Sequence, residues 1–335
     1  MGEIQRAVQL LQQGELVALP TETVYGLGAH ARNPAALAKI FAAKGRPSDH
    51  PLIVHLADPA QLDDWAIQIP DTARALAAAF WPGPLTLILK RAPGVPDLVT
   101  GGQDTVGLRI PGHPVALELL RAFGDGVAAP SANRFGRISP TTAQHVRQEL
   151  GDRVPLVLEG GACEVGLEST ILDLSREGVP TILRPGAIGP DDIARVIGIR
   201  PRLRGETPAP AEAEAPPADA PRVSGALAAH YAPRTPLLLA PLPELLALAA
   251  PGDTLVAHSP APAILPAGIT WHPAPADPAA YGHALYATLR SLDESPCTRI
   301  LVEAPPADLP WAAIADRLGR AAVGSGPQDS TDTLA

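Results

Sequence analysis

Up to about Arg204 the chain alternates short apolar runs with amphipathic stretches, and this rhythm fixes its fold class. Leu16 to Leu19, Leu52 to Leu56, Leu85 to Leu89, Thr105 to Ile110, Val154 to Leu158, Ser169 to Leu174 and Thr181 to Leu183 read as strands. Helical patterns lie between several of them. The N-terminus reads as an amphipathic helix running into a strand. Asn33 with Pro34 opens a helix that runs to about Ala43, and Asp71 opens another ending near Phe80. Ser139-Pro140 reads as an N-cap followed by proline at the first helical position. The class is α/β.

A second boundary is compositional. Gly205 to Pro221, GETPAPAEAEAPPADAP, is almost wholly Ala, Pro and acidic residues, too little side chain to order itself, and reads as a linker. Beyond it Leu237 to Leu239, Thr254 to His258 and Arg299 to Glu303 read as strands. Helices are expected at about Glu244 to Ala250, Ala280 to Leu292 and Trp311 to Ala322. The expected domains are 1–204, a linker over 205–235, and a smaller α/β domain over 236–335. A length of 335 residues, beyond what one core usually serves, agrees with this division. Gly324 to Ala335 is expected to fray.

Apolar residues at 46% and charged residues at 18% place the chain among folded proteins. The net charge of −9 supplies no global positive field to hold a nucleic-acid backbone, so direct tRNA binding is not expected. Cys163 and Cys297 fit no metal-ligand spacing and receive no role. The first residues lack a signal-peptide pattern and no apolar run reaches about 18 residues, so a soluble, cytoplasmic protein is expected.

Three clusters carry chemistry. Pro20 to Gly28, PTETVYGLG, packs hydroxyls, a carboxylate and two glycines after a strand; local patterning reads strand, turn, helix, with hydroxyls that cap backbone donors as the plain alternative. Lys44-Gly45-Arg46-Pro47 reads either as a helix C-cap with a favourable cation or, in extended backbone, as two cations aimed to one side, as a triphosphate requires. Ser131 and Asn133 stand two apart after a short strand, common loop chemistry that gains meaning beside the others.

The blocks PTETVYGLG, KGRP with HPLIVH, FWPGPLT, DTVGLRIPGHP, APSANRFGRISPT, GLESTILDL and ILRPGAI resemble, in order and spacing, the YrdC-like threonylcarbamoyl-AMP synthase family. The resemblance covers about Leu10 to Ile199. Ser224-Gly225 and His230-Tyr231-Ala232-Pro233 resemble the linker signature of its two-domain form. It implies a twisted mixed sheet with flanking helices, followed by a small Rossmann-like domain. It implies synthesis of L-threonylcarbamoyladenylate and pyrophosphate from L-threonine, bicarbonate and ATP, the first step of a tRNA modification next to the anticodon. A downstream threonylcarbamoyl-transfer complex would consume the product.

The family's catalytic tetrad falls here on Lys44, Arg46, Ser131 and Asn133. Cationic donors of these two kinds, a planar fork and a point charge, suit expulsion of pyrophosphate. The resemblance puts ATP against Arg46, His50, Thr105, Ser131, Asn133, Ser139, Arg184 and Tyr231. It puts threonine against Thr23, His55, Arg109, Ala129 and Ser169, with Thr170 as the alternative to Ser169 because adjacent strand residues face opposite ways. Arg109 competes with a plain ion pair, Ser139 with a helix cap, and the two histidines with satisfied core positions. Mg²⁺ is expected as cofactor, held mainly by the ATP phosphates with no protein metal ligands. Tyr231 is expected to fold over the nucleotide as part of a lid. Two other readings remain: a module that binds double-stranded RNA or nucleotides without this activity, and a carbamoyl-transfer role, which would normally accompany cysteine-rich and acylphosphatase modules missing from the sequence.

Overall fold

The structure is a computed structural model that describes residues 2–206 and 220–326. The chain divides into two compact units. Residues Met1–Arg134 with Pro140–Ala226 form the first, and Phe135–Ser139 with Leu227–Ala335 form the second.

The first unit is built on an 11-stranded mixed sheet. From one edge its strands run Arg202–Leu203, Thr181–Arg184, Thr170–Asp173, Leu85–Arg91, Thr105–Arg109, Ile53–His55, Val127–Ala128, Gly26–His30, Val17–Leu19 and Leu156–Val157, while Ala66–Ile67 pairs with Leu85–Arg91. Parallel and antiparallel pairings are mixed along it: Ile53–His55 pairs parallel with Thr105–Arg109 and antiparallel with Val127–Ala128.

Period-two alternation sorts side chains between the two faces of the sheet. Val17 and Leu19 meet Ala7 and Leu11 of the helix Glu3–Gln12, and the intervening Ala18 joins Leu27, Ile40 and Trp65 in the larger core. The helix Pro34–Lys44 starts where its sequence asks: Asn33 Oδ1 accepts from the amides of Ala35 and Ala36 at 3.0 and 3.3 Å. Such a cap contributes about 1 kcal/mol. Gly45, at φ 63°, closes the other end.

Three expectations are corrected. The run after Thr23 is a strand, Gly26–His30, paired antiparallel with Val17–Leu19, and not a helix. Ser139 does not cap the next helix, which spans Ala143–Leu150 and takes its cap from Thr142, whose hydroxyl accepts from the His145 amide at 3.2 Å. Lys44 is the last residue of its helix, so the extended backbone envisaged for Lys44 and Arg46 does not occur.

Residues 207–219 of the expected linker lie outside the described residues. Arg222 to Ser224 dock on the first unit: the amide of Arg222 donates to Gln103 at 2.7 Å, and Val223 is buried among Ile88, Ile171 and Leu183.

The second unit carries four parallel strands in the order Leu237–Ala240, Ile300–Glu303, Thr254–Ala257, Thr270–Pro273. Its core includes Leu245, Leu255 and Leu301. Among the described residues no helix is long and apolar enough to cross a membrane.

Candidate active site

The turn at residues 20–24 is organised by its hydroxyls. Thr21 Oγ1 accepts from the amides of Thr23 and Val24 at 3.2 Å and donates to the Val24 carbonyl at 2.6 Å, so the capping role read from sequence is realised. The Thr21 and Thr23 hydroxyls are 2.8 Å apart. Tyr25 is anchored from the opposite side: its hydroxyl donates to the Gly161 carbonyl at 2.9 Å and accepts from the Gly160 amide at 3.1 Å.

Arg109, at the end of its strand, reaches this turn. Its Nη1 donates to Thr23 Oγ1 at 2.9 Å and its Nε to the Gly83 carbonyl at 3.2 Å. Nη2 stands 2.7 Å from Glu22 Oε1, close enough for an ion pair although the pair lies outside hydrogen-bond alignment. The ion pair weighed against a binding role for Arg109 therefore exists. Its partner, Glu22, was missed; a carboxylate so far away in sequence offers no local sign of it. His55 is the register partner of Arg109 on the adjacent parallel strand. Burial, and secondarily the Arg109 charge, push its pKa down to about 3, so the imidazole is neutral near pH 7. Its Nδ1 is buried and finds no hydrogen-bond partner among the described residues.

Ser169 and Thr170 separate clearly. The Ser169 hydroxyl lies 2.7 Å from Thr86 Oγ1 and accepts from Arg184 Nη2 at 3.1 Å, whereas Thr170 Oγ1 exchanges bonds with the Ile188 backbone at 2.8 and 3.1 Å. Arg184 is thus gathered beside Ser169, and it also donates to the Ser224 carbonyl at 3.0 Å.

The second cluster is assembled around Lys44. Its Nζ donates to the carbonyls of Ser131 and Asn133 at 2.5 and 2.6 Å. Burial first, then the neighbouring Arg46 guanidinium, pull its pKa well below the ordinary lysine value. Arg46 is itself buried and donates to the Pro51 carbonyl at 2.9 Å. Burial and Arg46 also lower the pKa of His50. The loop bearing Ser131 and Asn133 is tied to the first cluster by backbone: the Leu27 amide donates to Pro130, the Ala132 amide to Tyr25, and Gly26 bridges Ser131. Ala129 is fixed by its amide, which donates to the Ile53 carbonyl at 3.0 Å.

Thr105 starts the strand that Arg109 ends. The two share a face about 13 Å apart, four residues at a strand's rise. Ser139 and Tyr231 belong to the second unit. There Tyr231, with φ 62°, is buried and stacks on Tyr286 at 5.7 Å between ring centroids. Cys163 is a buried thiol whose pKa is raised to about 12, chiefly by burial, and it has no nucleophilic character near neutral pH.

Fold and site define the class first: a two-unit α/β protein whose larger unit buries cations among hydroxyl, imidazole and carboxylate groups at the ends of neighbouring strands. The chain belongs to the Sua5/YciO/YrdC family, in its two-domain form. Residues 9–186 match that family, described as "Telomere recombination", and residues 188–323 match "Threonylcarbamoyl-AMP synthase, C-terminal domain". It is 42% identical to the threonylcarbamoyl-AMP synthase of Pyrococcus abyssi over 240 residues, 71% of this chain and 67% of that protein. It is 50% identical to the Bacillus subtilis protein of the same name over 197 residues, 58% of this chain and 57% of that one. Among solved structures it resembles P. abyssi Sua5 complexed with L-threonine, with a TM-score of 0.84 and 33% identity, covering 96% of this chain and 95% of that one.

Proposed function

We propose that this chain makes L-threonylcarbamoyladenylate and pyrophosphate from L-threonine, bicarbonate and ATP, as a nucleotidyltransferase at the first step of threonylcarbamoyladenosine formation in tRNA. One observation carries the reading: Arg109, Thr23 and neutral His55 converge, buried, where an amino acid needs a fork for its carboxylate and an uncharged acceptor for its amine. The relative solved with L-threonine supports it, as do the relatives named threonylcarbamoyl-AMP synthase.

Thr23, His55, Arg109, Ala129 and Ser169 take the threonine. Lys44, Arg46, Ser131 and Asn133 act on the nucleotide together with His50, Thr105, Ser139, Arg184 and Tyr231. The threonine amine, as its free base, attacks the carbon of bicarbonate; the C–O bond breaks and water leaves with the amine proton, giving a carbamate. A carbamate oxygen then attacks the α-phosphate and pyrophosphate leaves, so no covalent enzyme nucleophile is needed. Lys44 and Arg46 stabilise negative charge moving toward the leaving oxygens, and burial strengthens that effect while keeping water from a labile product. Among the described residues no three His, Cys, Asp or Glu side chains cluster to hold a metal ion. The phosphate side instead offers cations, a donor set suited to oxyanions, so Mg²⁺ would ride on the ATP phosphates and neutralise their charge. The segment His230-Tyr231-Ala232-Pro233 would serve as a lid on the nucleotide, with Tyr231 supplying an amphipathic contact. The product passes to a transfer complex acting on tRNA, in a cytoplasmic setting.

The test is pyrophosphate release with L-threonine, bicarbonate, ATP and Mg²⁺, repeated without threonine. Release is expected only in the complete mixture; equal release without threonine overturns the reading.

A further inference from the structure

We propose that Glu22 is a positioning residue that aims the Arg109 guanidinium at the carboxylate of the amino-acid substrate. The inference rests on the reading of Arg109 as the group that receives that carboxylate.

Glu22 holds two elements at once. Its Oε1 lies 2.7 Å from Arg109 Nη2, and its Oε2 accepts from the Gly112 amide at 2.9 Å. The carboxylate therefore bridges the end of the strand Thr105–Arg109 and the turn that follows it. Its own backbone is pinned as well, because the Val165 amide donates to the Glu22 carbonyl at 2.7 Å. Glu22 and Arg109 are only 7% and 4% exposed, so neither charge is relieved by solvent. The turn runs close beside the carboxylate: a Cβ at position 112 would stand 3.4 Å from Glu22 Cδ.

The consequence for Arg109 follows from counting donors. A guanidinium has five N–H groups. Gly83 and Thr23 engage one each, on Nε and Nη1, while Glu22 faces Nη2 as an ion pair without a hydrogen bond. Nη1 keeps one N–H and Nη2 both, enough for a carboxylate to be gripped as a fork across the two terminal nitrogens. Two hydrogen bonds and the ion pair together set the direction in which those donors point. Gly83 and Thr23 offer neutral acceptors, and among the described residues Glu22 is the one that pairs with Arg109 as a countercharge. Without it a buried cation would be left to find other partners, and its orientation would be lost. Glu22 does not touch the reacting atoms. It acts through Arg109, and its effect belongs in threonine binding rather than in turnover.

The experiment compares wild type, Glu22→Gln, Arg109→Lys and the double variant in the full-length chain. L-threonine binding is measured by calorimetry without ATP, KM for threonine and for ATP are measured separately, and melting temperature serves as the control for folding. Glutamine keeps the size and an acceptor for Gly112 but removes the charge. We expect Glu22→Gln to weaken threonine binding about tenfold or more, with the KM for ATP and the kcat at saturating threonine nearly unchanged. The two substitutions should be strongly non-additive in threonine affinity. Unchanged affinity in Glu22→Gln, additive effects, or equal rises in both KM values with a falling melting temperature overturn the positioning role. Absence of threonine binding in the wild-type protein is a different result: it overturns the reading of the site itself, and this inference with it.

Discussion

Lys44 shows how one residue serves two descriptions. It is the cation at a helix C-terminus that its sequence position suggests, and its Nζ also ties the Ser131 and Asn133 carbonyls together. Methionine at this position keeps the stem and removes the charge. Lys44→Met is expected to lower kcat/KM for ATP by about a hundredfold or more, the usual cost of losing a preorganised electrostatic contact; pyrophosphate release at limiting ATP measures it, and a loss below about threefold would show that the charge is dispensable. His55 yields a stability prediction. Its pKa is near 3 in the folded chain against an ordinary 6.5, so between those values the unfolded chain binds a proton that the folded one refuses. Stability therefore falls as pH drops from about 6.5 toward 3, by at most about 1.4 kcal/mol per pH unit from this group. Urea unfolding at pH 5, 6 and 7 should show a steeper loss for wild type than for His55→Gln, and parallel slopes would refute the assignment. The residues assigned to this site came from the ordered motifs and their resemblance to a family, since local patterning alone left the clusters as capping and loop chemistry. Their partners were not legible, since Glu22 and Thr86 are joined to Arg109 and Ser169 only by folding.

Sequence resolved elements best where apolar runs were dense and worst where backbone approach dictated the residue. Ile53–His55 and Thr170–Asp173 lie inside their expected runs. Gly26–His30 was misread because Gly-Leu-Gly-Ala-His lacks the β-branched signal of a strand. The cause is packing: a Cβ on Gly28 would meet Leu19 Cδ2 at 2.9 Å and the Val17 carbonyl at 3.0 Å. The strand Thr270–Pro273 escaped notice for a related reason, as an edge strand that tolerates a terminal proline. Gly160 has a comparable constraint. It lies in the segment that anchors Tyr25, and an added Cβ would stand 2.5 Å from the Pro20 ring and 2.7 Å from His113 Cε1. Gly160→Ala is expected to cost about 1–3 kcal/mol through overpacking and to weaken threonine binding by displacing the turn that carries Thr23. Denaturant midpoints and threonine calorimetry on the variant check both effects; wild-type values in both would mean that this segment yields freely.

At the scale of the whole chain the division into two units is not a cut at one point in sequence. Phe135–Ser139 is flanked by first-unit residues on both sides, yet its contacts are with the second unit. The Arg290 guanidinium donates to the Ile138 carbonyl, Arg137 pairs with Asp293 at 3.2 Å, and the Ala232 amide donates to the Gly136 carbonyl at 2.9 Å. No sequence pattern announced this, because the partners lie roughly a hundred residues or more downstream and only the folded second unit presents them. A chain ending at Ala226 keeps every strand of the larger sheet but removes Arg290, Asp293 and Ala232, and also His230, whose ring packs edge-on against Phe135. Hydrogen exchange should then quicken at residues 135–139 while the strand Thr105–Arg109 stays protected. Since Ser139 and the deleted Tyr231 are both proposed to meet the nucleotide, the KM for ATP should rise in that truncated chain while threonine affinity holds. Unchanged exchange at 135–139 would mean that the first unit orders the segment unaided, and an unchanged KM for ATP would remove Tyr231, and Ser139 if its segment has loosened, from the nucleotide's contacts.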